Sequence, residues 1–367
     1  MNKHTRRYLL APLTALAVLA GACGSDDETA TTEAPAEVGD SVSDVTTADS
    51  DAPAGSDAPA GTDAPAGSDA PSDTVEVTEG EDVTLAIITH GDDGVFWSVA
   101  QKGAETAGAD LGIDVLYSGA NNDGAAQAQM IDQAVTDGVD GIAVSLADPG
   151  ALEASVAAAV EAGIPVITLN SGSDLFKDLG AITHVGQDEI VAGNGAGEQF
   201  AAEGKAKLLC VMQEQSNVGL EARCDGAEET FGGEVIRITT SGDADPTTSQ
   251  AEIKAALEAD EDIDAVFATG PIGAVLVKNA AGELERDLMI GAVDLSTELL
   301  DAIEAGEIAF TIDQQQYLQG YLAVVFLYLN VINANTVGGG LPVYTGPGFV
   351  TADNVASVKA LVEAGTR

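Results

Sequence analysis

Cationic side chains are scarce in this chain: 14 Lys and Arg stand against 60 Asp and Glu, a formal net charge of −46. A surface of that sign repels nucleic acid and anionic lipid, so partners held by phosphate neutralisation are excluded. Aromatics make up only 4%, with a single tryptophan, Trp97. No His lies near Cys210 or Cys224, so the usual Cys/His spacing of a metal cage is missing, and no metal or other cofactor is expected. Catalytic signatures are absent too: the region after the leader has no GxSxG elbow, no HExxH helix and no GxxxxGK[ST] phosphate loop. The glycine-rich run Gly193-Asn194-Gly195-Ala196-Gly197 falls inside a helical pattern rather than after a strand, a poor dinucleotide loop. Catalysis stays open only through paired carboxylates, which leaves a secreted hydrolase as the reading of another class.

The N-terminus sets the compartment. Lys3, Arg6 and Arg7 precede an apolar run from Tyr8 to Leu19, followed by Ala20-Gly21-Ala22 and Cys23. A basic head, a short apolar stretch and small exit residues make residues 1–22 a secretory signal peptide, the run being shorter than the roughly 20 residues a membrane span needs. The exit resembles a lipoprotein processing site, with Cys23 as the lipidated first residue, although Ala20 stands where such sites usually carry Leu; cleavage without lipid is the alternative. Residues 23–81 then read as an acidic Ala/Pro/Gly/Asp-rich tether built around DAPAGSDAPAGTDAPAGSDAPSD. Its prolines block helix and sheet, and it has too few large apolar side chains to offset the entropy of ordering. An exported protein meets oxidising conditions, where Cys210 and Cys224 can pair as a disulfide; two buried thiols are the other reading.

From Asp82 on, short apolar runs alternate with longer helical patterns. Strands are expected at 83–89, 113–118, 141–146, 165–170, 181–186, 206–212, 233–239, 264–270, 288–294 and 308–313. Most are continuously apolar rather than alternating, the mark of parallel strands covered on both faces. Helical periodicity fills the gaps between them. About ten strands are too many for one compact sheet, so the fold class is α/β with two doubly wound parallel-sheet lobes. The turn-rich excursion Asn170–Gly180 and the run Asp313–Gln316 divide them. The expected N-terminal lobe is 82–186 plus 316–345, the C-terminal lobe 187–315 plus 346–367, joined by a hinge that the chain crosses three times.

Several phrases now carry a resemblance. They are Gly94-Val95-Phe96-Trp97 after the first strand, Asn170-Ser171-Gly172 after the fourth, Arg223-Cys224-Asp225-Gly226 opening a second-lobe helix, Asp294 ending a strand, and Thr311-Ile312-Asp313-Gln314-Gln315 near the late hinge. In that order the chain resembles the type I periplasmic sugar-binding family, the ribose-binding-like group, from about Val83 to its C-terminus. The resemblance implies the type I periplasmic binding protein fold. It also implies a sugar or polyol captured between the lobes, a bacterial ABC permease as partner, a monomer, and attachment to the outer face of the cell membrane by lipid alone.

The candidate ligand residues come from the resemblance and from the rule that open parallel sheets bind ligands at the carboxyl ends of their strands. Phe96 and Trp97 offer apolar rings for the C–H face of a sugar, or else belong to the core. Asn170 and Ser171 stand where many sugar binders have Asp and Arg, and could form an ordinary turn instead. Arg223 offers a fork of donors, its alternative being an ion pair with Glu221 or Asp225. Asp294 can accept from two hydroxyls, or cap the helix after it. Gln314 can reach a hydroxyl at the hinge; His90 and Asp93 follow the first strand; Gly270 falls where the family usually has Asn. The same fold could instead hold an autoinducer, a nucleoside or an amino-acid derivative, or serve a sensory receptor.

Overall fold

The computed structural model describes residues 83–92 and 94–367. The leader, the tether with Cys23, and Asp93 lie outside the described residues. The first sheet holds β1 (Thr84–Thr89), β2 (Asp114–Gly119), β3 (Gly141–Val144), β4 (Val166–Leu169) and β5 (His184–Gly186). The second holds β6 (Lys207–Met212), β7 (Glu234–Thr239), β8 (Ala265–Ala268), β9 (Met289–Val293) and β10 (Phe310–Asp313). All pairings among these ten are parallel. Two short strands near the C-terminus complete the sheets: β11 (Val343–Tyr344) extends the first in parallel, and β12 (Gly348–Thr351) closes the second antiparallel to β10. The strand orders are β11-β5-β4-β3-β1-β2 and β12-β10-β9-β8-β6-β7. The two doubly wound lobes expected from the sequence are therefore present.

The continuous apolar runs do what their pattern implies. Leu85 and Ile87 of β1 point into one core, Ala86 and Ile88 into the core on the opposite face. Each lobe thus has two cores with a sheet between them. In the first lobe α1 (Gly94–Leu111), α2 (Gly124–Asp137), α3 (Pro149–Glu161) and a late helix, Gln316–Asn333, cover the sheet. In the second, α4 (Glu189–Ala202), α5 (Val218–Phe231), α6 (Pro246–Ala259), α7 (Pro271–Glu283) and α8 (Thr297–Glu304) do so; the late helix is α9, and α10 is Val355–Glu363. Short polar residues stop the chain and start the helices: Asp123, Asp148, Asp188, Asn217, Asp245 and Ser296 each accept from a first-turn N–H.

The chain passes from the first sheet to the second after β5, returns after β10 to build α9 and β11, and passes over again into β12. By its sequence, the segment after Val337 reads only as a crossing and a tail. The structure adds β11, β12 and α10 there; the two strands are too short, and the chain around them too rich in Gly and Pro, to show a period, whereas α10 buries Val355, Val358 and Val362 at helical spacing.

Two glycines set how closely α4 and α5 pack. A Cβ on Gly193 of α4 would fall 2.2 Å from the Arg223 carbonyl, and one on Gly226 of α5 would fall 2.3 Å from the Ile190 carbonyl. Only the missing side chains let these two helices approach backbone to backbone. Helix α5 is also tied to β6 by a disulfide between Cys210 and Cys224, Cα atoms 6.0 Å apart. Closing so short a loop contributes about 3 kcal/mol in the chain-entropy account. Replacing both cysteines by Ala is expected to lower the urea midpoint correspondingly without moving the far-UV circular dichroism.

Candidate functional site

In a sheet of order 2-1-3-4-5 the switch point lies between the first and third strands, where the crossovers diverge and leave a crevice at the carboxyl edge. Here those edges are β1/β3 in one lobe and β6/β8 in the other, and they face each other.

His90 leaves β1 and is buried; its backbone N–H donates to Ser145 Oγ at the end of β3 (2.7 Å), and its Nδ1 meets the same oxygen at 2.8 Å. Its Nε2 points across to the second lobe, 3.6 Å from Glu214 Oε2. Burial lowers the His90 pKa against the pull of Glu214, with Arg223 lowering it further, so the ring is neutral at physiological pH. The Trp97 ring packs edge-on to His90 (4.8 Å) and to Phe96 (4.7 Å). Trp97 is only 8% exposed, Phe96 half-buried. The Trp97 ring fits because Gly91 has no side chain: a Cβ there would fall 2.0 Å from its Nε1.

Arg223 projects from α5 and is 4% exposed. Its Nε and Nη2 donate to the two oxygens of Glu189 (2.6 and 2.9 Å), and its Nη1 donates to the Thr269 carbonyl (2.7 Å). Three of the guanidinium's five N–H groups are thereby used and two remain. Burial would weaken its hold on the proton, but the Glu189 carboxylate outweighs burial and keeps it charged, its pKa well above the usual range. The surface ion pair with Glu221 or Asp225 is not formed by Arg223; Arg237 takes both of those carboxylates. Glu189 also accepts from Gln187 Nε2 (2.8 Å), which anchors it to the first crossing.

Asp294 ends β9 with a left-handed backbone (φ 68°), as Asn170 ends β4 (φ 62°). Both conformations are uncommon for residues with a side chain, more tolerable for Asn and Asp. Asp294 does not cap the helix after it; Ser296 does, accepting from the Leu299 N–H at 3.2 Å. Its carboxylate instead accepts from Gln314 Nε2 (2.7 Å). Gln314 Oε1 in turn accepts from Asn170 Nδ2 (3.2 Å), and Ser171 Oγ donates to Asn170 Oδ1 (3.0 Å). One hinge side chain, Gln314, therefore joins the strand tips of both lobes.

Among the sequence-predicted residues, the structure brings together His90, Trp97 and Phe96 on one side, Asn170, Ser171, Gln314 and Asp294 around the hinge, and Arg223 between them, within electrostatic reach of both His90 and Asp294. Gly270 lies at the tip of β8 as the residue before α7. Glu189, Glu214 and Gln213 also take part, though no motif marks them. Gln213 sits at a strand end, where the topological rule points; Glu189 gives no signal in the sequence at all. Besides these, the Val218 N–H donates to the Ala147 carbonyl (3.1 Å), so the lobes touch at the rim. Beside the site a hollow of about 230 Å³ opens between Gly172, Leu175, Asp188, Glu189, Val218 and Ala222. Another of about 330 Å³ lies away from it, in the second lobe, near Lys205 and Asp287. Among the described residues no three His, Cys, Asp or Glu side chains are grouped to hold a metal ion, and no helix is long and apolar enough to cross a membrane.

A family model described as "Periplasmic binding protein domain" matches residues 85–334. A carbohydrate transporter from Acidothermus cellulolyticus 11B, crystallised in complex with myo-inositol, is 41% identical; the match covers 78% of this chain and 100% of that one, with a TM-score of 0.75. A xylose/arabinose-binding protein of Sulfolobus acidocaldarius is 24% identical over 297 residues, 76% of this chain and 74% of the relative. A ribose import binding protein of Haemophilus influenzae is 27% identical over 250 residues, 66% and 83% of the two chains.

Proposed function

The chain belongs to the periplasmic binding protein domain family, and from that premise we propose that it is the solute-capturing component of an ABC importer, closing its lobes on a cyclic polyol or monosaccharide. Its work is binding, not catalysis. The observation that supports this reading is the Asn170–Gln314–Asp294 bridge beside Arg223, in which acceptors and donors from the strand tips of both lobes meet. A polyol ring presents hydroxyls around its rim and C–H groups on its faces. Asp294 accepts from hydroxyls, the two remaining Arg223 N–H groups donate to them, and the Trp97–Phe96 pair supplies an apolar wall. Myo-inositol is the first ligand to try, because the Acidothermus protein crystallised with it is 41% identical.

Closure depends on ligand contacts that exist only when both lobes are engaged, since a ligand shifts a conformational equilibrium only by its differential affinity. Trp97 is the single tryptophan of the chain, so its fluorescence reports the site directly. Adding myo-inositol is expected to shift and saturate that emission and to reduce the radius of gyration in solution scattering. No response in either signal to myo-inositol, D-xylose, L-arabinose or D-ribose rejects the polyol and sugar reading.

Export and anchoring complete the proposal. With Cys23 lipidated, the acidic tether holds the binding lobes off the outer face of the membrane as a monomer. Cys23→Ser is expected to move the protein from the membrane fraction to the medium; retention in the membrane fraction speaks against the lipid anchor.

A further inference from the structure

The loop leaving β6 contributes a side chain that no motif marks. Gln213 is half-buried, and its Oε1 accepts from Thr269 Oγ1 at 2.8 Å, a shorter contact than the 3.1 Å from that hydroxyl to the Val211 carbonyl. The carbonyl end of the amide is thus taken, and Nε2 with its two hydrogens is the end left to act. That end lies over the tip of β8. A Cβ built on Gly270 would fall 2.6 Å from Gln213 Nε2 and 2.9 Å from its Cδ. Position 270 therefore has no side chain, and the space one would start into is filled by an amide from the neighbouring strand. Thr269 serves two neighbours at once: its hydroxyl binds Gln213, and its carbonyl binds Arg223 Nη1. The next residue after Gln213, Glu214, reaches across the crevice to His90, so this loop faces the opposite lobe.

We propose that Gln213 is a specificity-determining ligand contact, its Nε2 donating to a hydroxyl oxygen of a neutral polyhydroxylated ring and acting from β6 in place of a side chain at position 270. The proposal rests on the polyol or sugar reading above. It sets a donor at the tip of β6, two strands along the same sheet edge from the acceptor Asp294 at the tip of β9, an arrangement that selects a ring with hydroxyls at two separated positions.

The test is calorimetric titration of the purified protein with myo-inositol, D-xylose and D-ribose. Gln213→Ala is expected to raise the Kd of the best of these at least tenfold while the melting temperature of the unliganded protein stays within about two degrees. Gly270→Ala should weaken binding as well, because the new methyl displaces the Gln213 amide. The double variant Gln213→Ala/Gly270→Asn should recover affinity relative to Gln213→Ala, since the Asn amide enters the vacated space, and should reorder the preference among the three ligands. A wild-type protein that binds while Gln213→Ala stays within twofold of it overturns the assignment of Gln213 and leaves the polyol or sugar reading standing. Equal loss of affinity and of melting temperature, with no rescue by the double variant, overturns the assignment in favour of a structural role. A wild-type protein that binds none of the three overturns both.

Discussion

Replacing Arg223 by Met is expected to abolish measurable ligand binding and to lower folding stability by about 3–5 kcal/mol, the usual result of leaving one partner of a buried ion pair uncompensated. The stranded partner is Glu189, which is 5% exposed and loses both guanidinium contacts while keeping only the Gln187 amide. The binding loss has a separate origin. Two charge-assisted N–H groups of about 1.5–3 kcal/mol each are removed from the ligand, which weakens Kd by two to four orders of magnitude. The two effects separate in the double variant Arg223→Met/Glu189→Leu. With both charges gone, denaturant titration should return most of the stability, while calorimetry should still find no binding. Arg223→Lys should fall between, because an ammonium keeps the charge but not the fork that spans both Glu189 oxygens. Normal affinity in Arg223→Met would remove the guanidinium from the site.

Affinity is expected to rise with pH through about 7, and to lose that dependence in Asp294→Asn. Burial pushes the Asp294 carboxyl up to about 7; the Arg223 guanidinium and the Gln314 amide pull it down, and Glu189 and Asp313 push it up again. The ionised carboxylate is the stronger acceptor for ligand hydroxyls. A ligand that binds only that form therefore shows a Kd rising up to tenfold for each unit below pH 7. The unliganded fold has the opposite slope. Between 3.8, the ordinary value, and about 7 the native carboxyl keeps a proton that the unfolded chain has released. Native protein then binds more protons than unfolded, so this contribution to stability is fully present below pH 4, declines as pH rises to 7, and levels off above. One carboxyl thus stabilises the empty protein at low pH and serves the ligand at high pH. His90 adds no charge change above pH 7, because burial holds its pKa below the ordinary 6.5. Calorimetric titrations and urea midpoints from pH 5 to 9 give both slopes; a flat Kd profile excludes Asp294 as an ionised ligand contact.

The strands were legible because their side chains are apolar on both faces, and only a sheet sandwiched between helices buries both. The helices between them were legible from their period. The C-terminal strands were not: β11 is two residues long and β12 four, and their pairing with β5 and β10 supplies what their sequence does not. In the site, the residues at strand ends could be found by rule, because a parallel sheet presents its carboxyl edge whatever its sequence. The partners of those residues could not. Arg223 has Glu221 and Asp225 beside it in sequence yet bonds Glu189, 34 residues earlier, because Gly193 and Gly226 let α4 and α5 touch.

The amino-acid sequence alone determined the alternation of strand and helix, the division into two lobes and the set of strand tips, since these depend on burial, which is non-directional and written in local pattern. The tertiary structure alone decided that Gln314 joins Asn170, 144 residues away, to Asp294, that Glu189 holds Arg223, and that an amide from β6 fills the gap at Gly270. Hydrogen bonds of that kind need donor and acceptor within about 3 Å and well aligned, a condition that no spacing along the chain encodes and that only the packing of whole elements can meet.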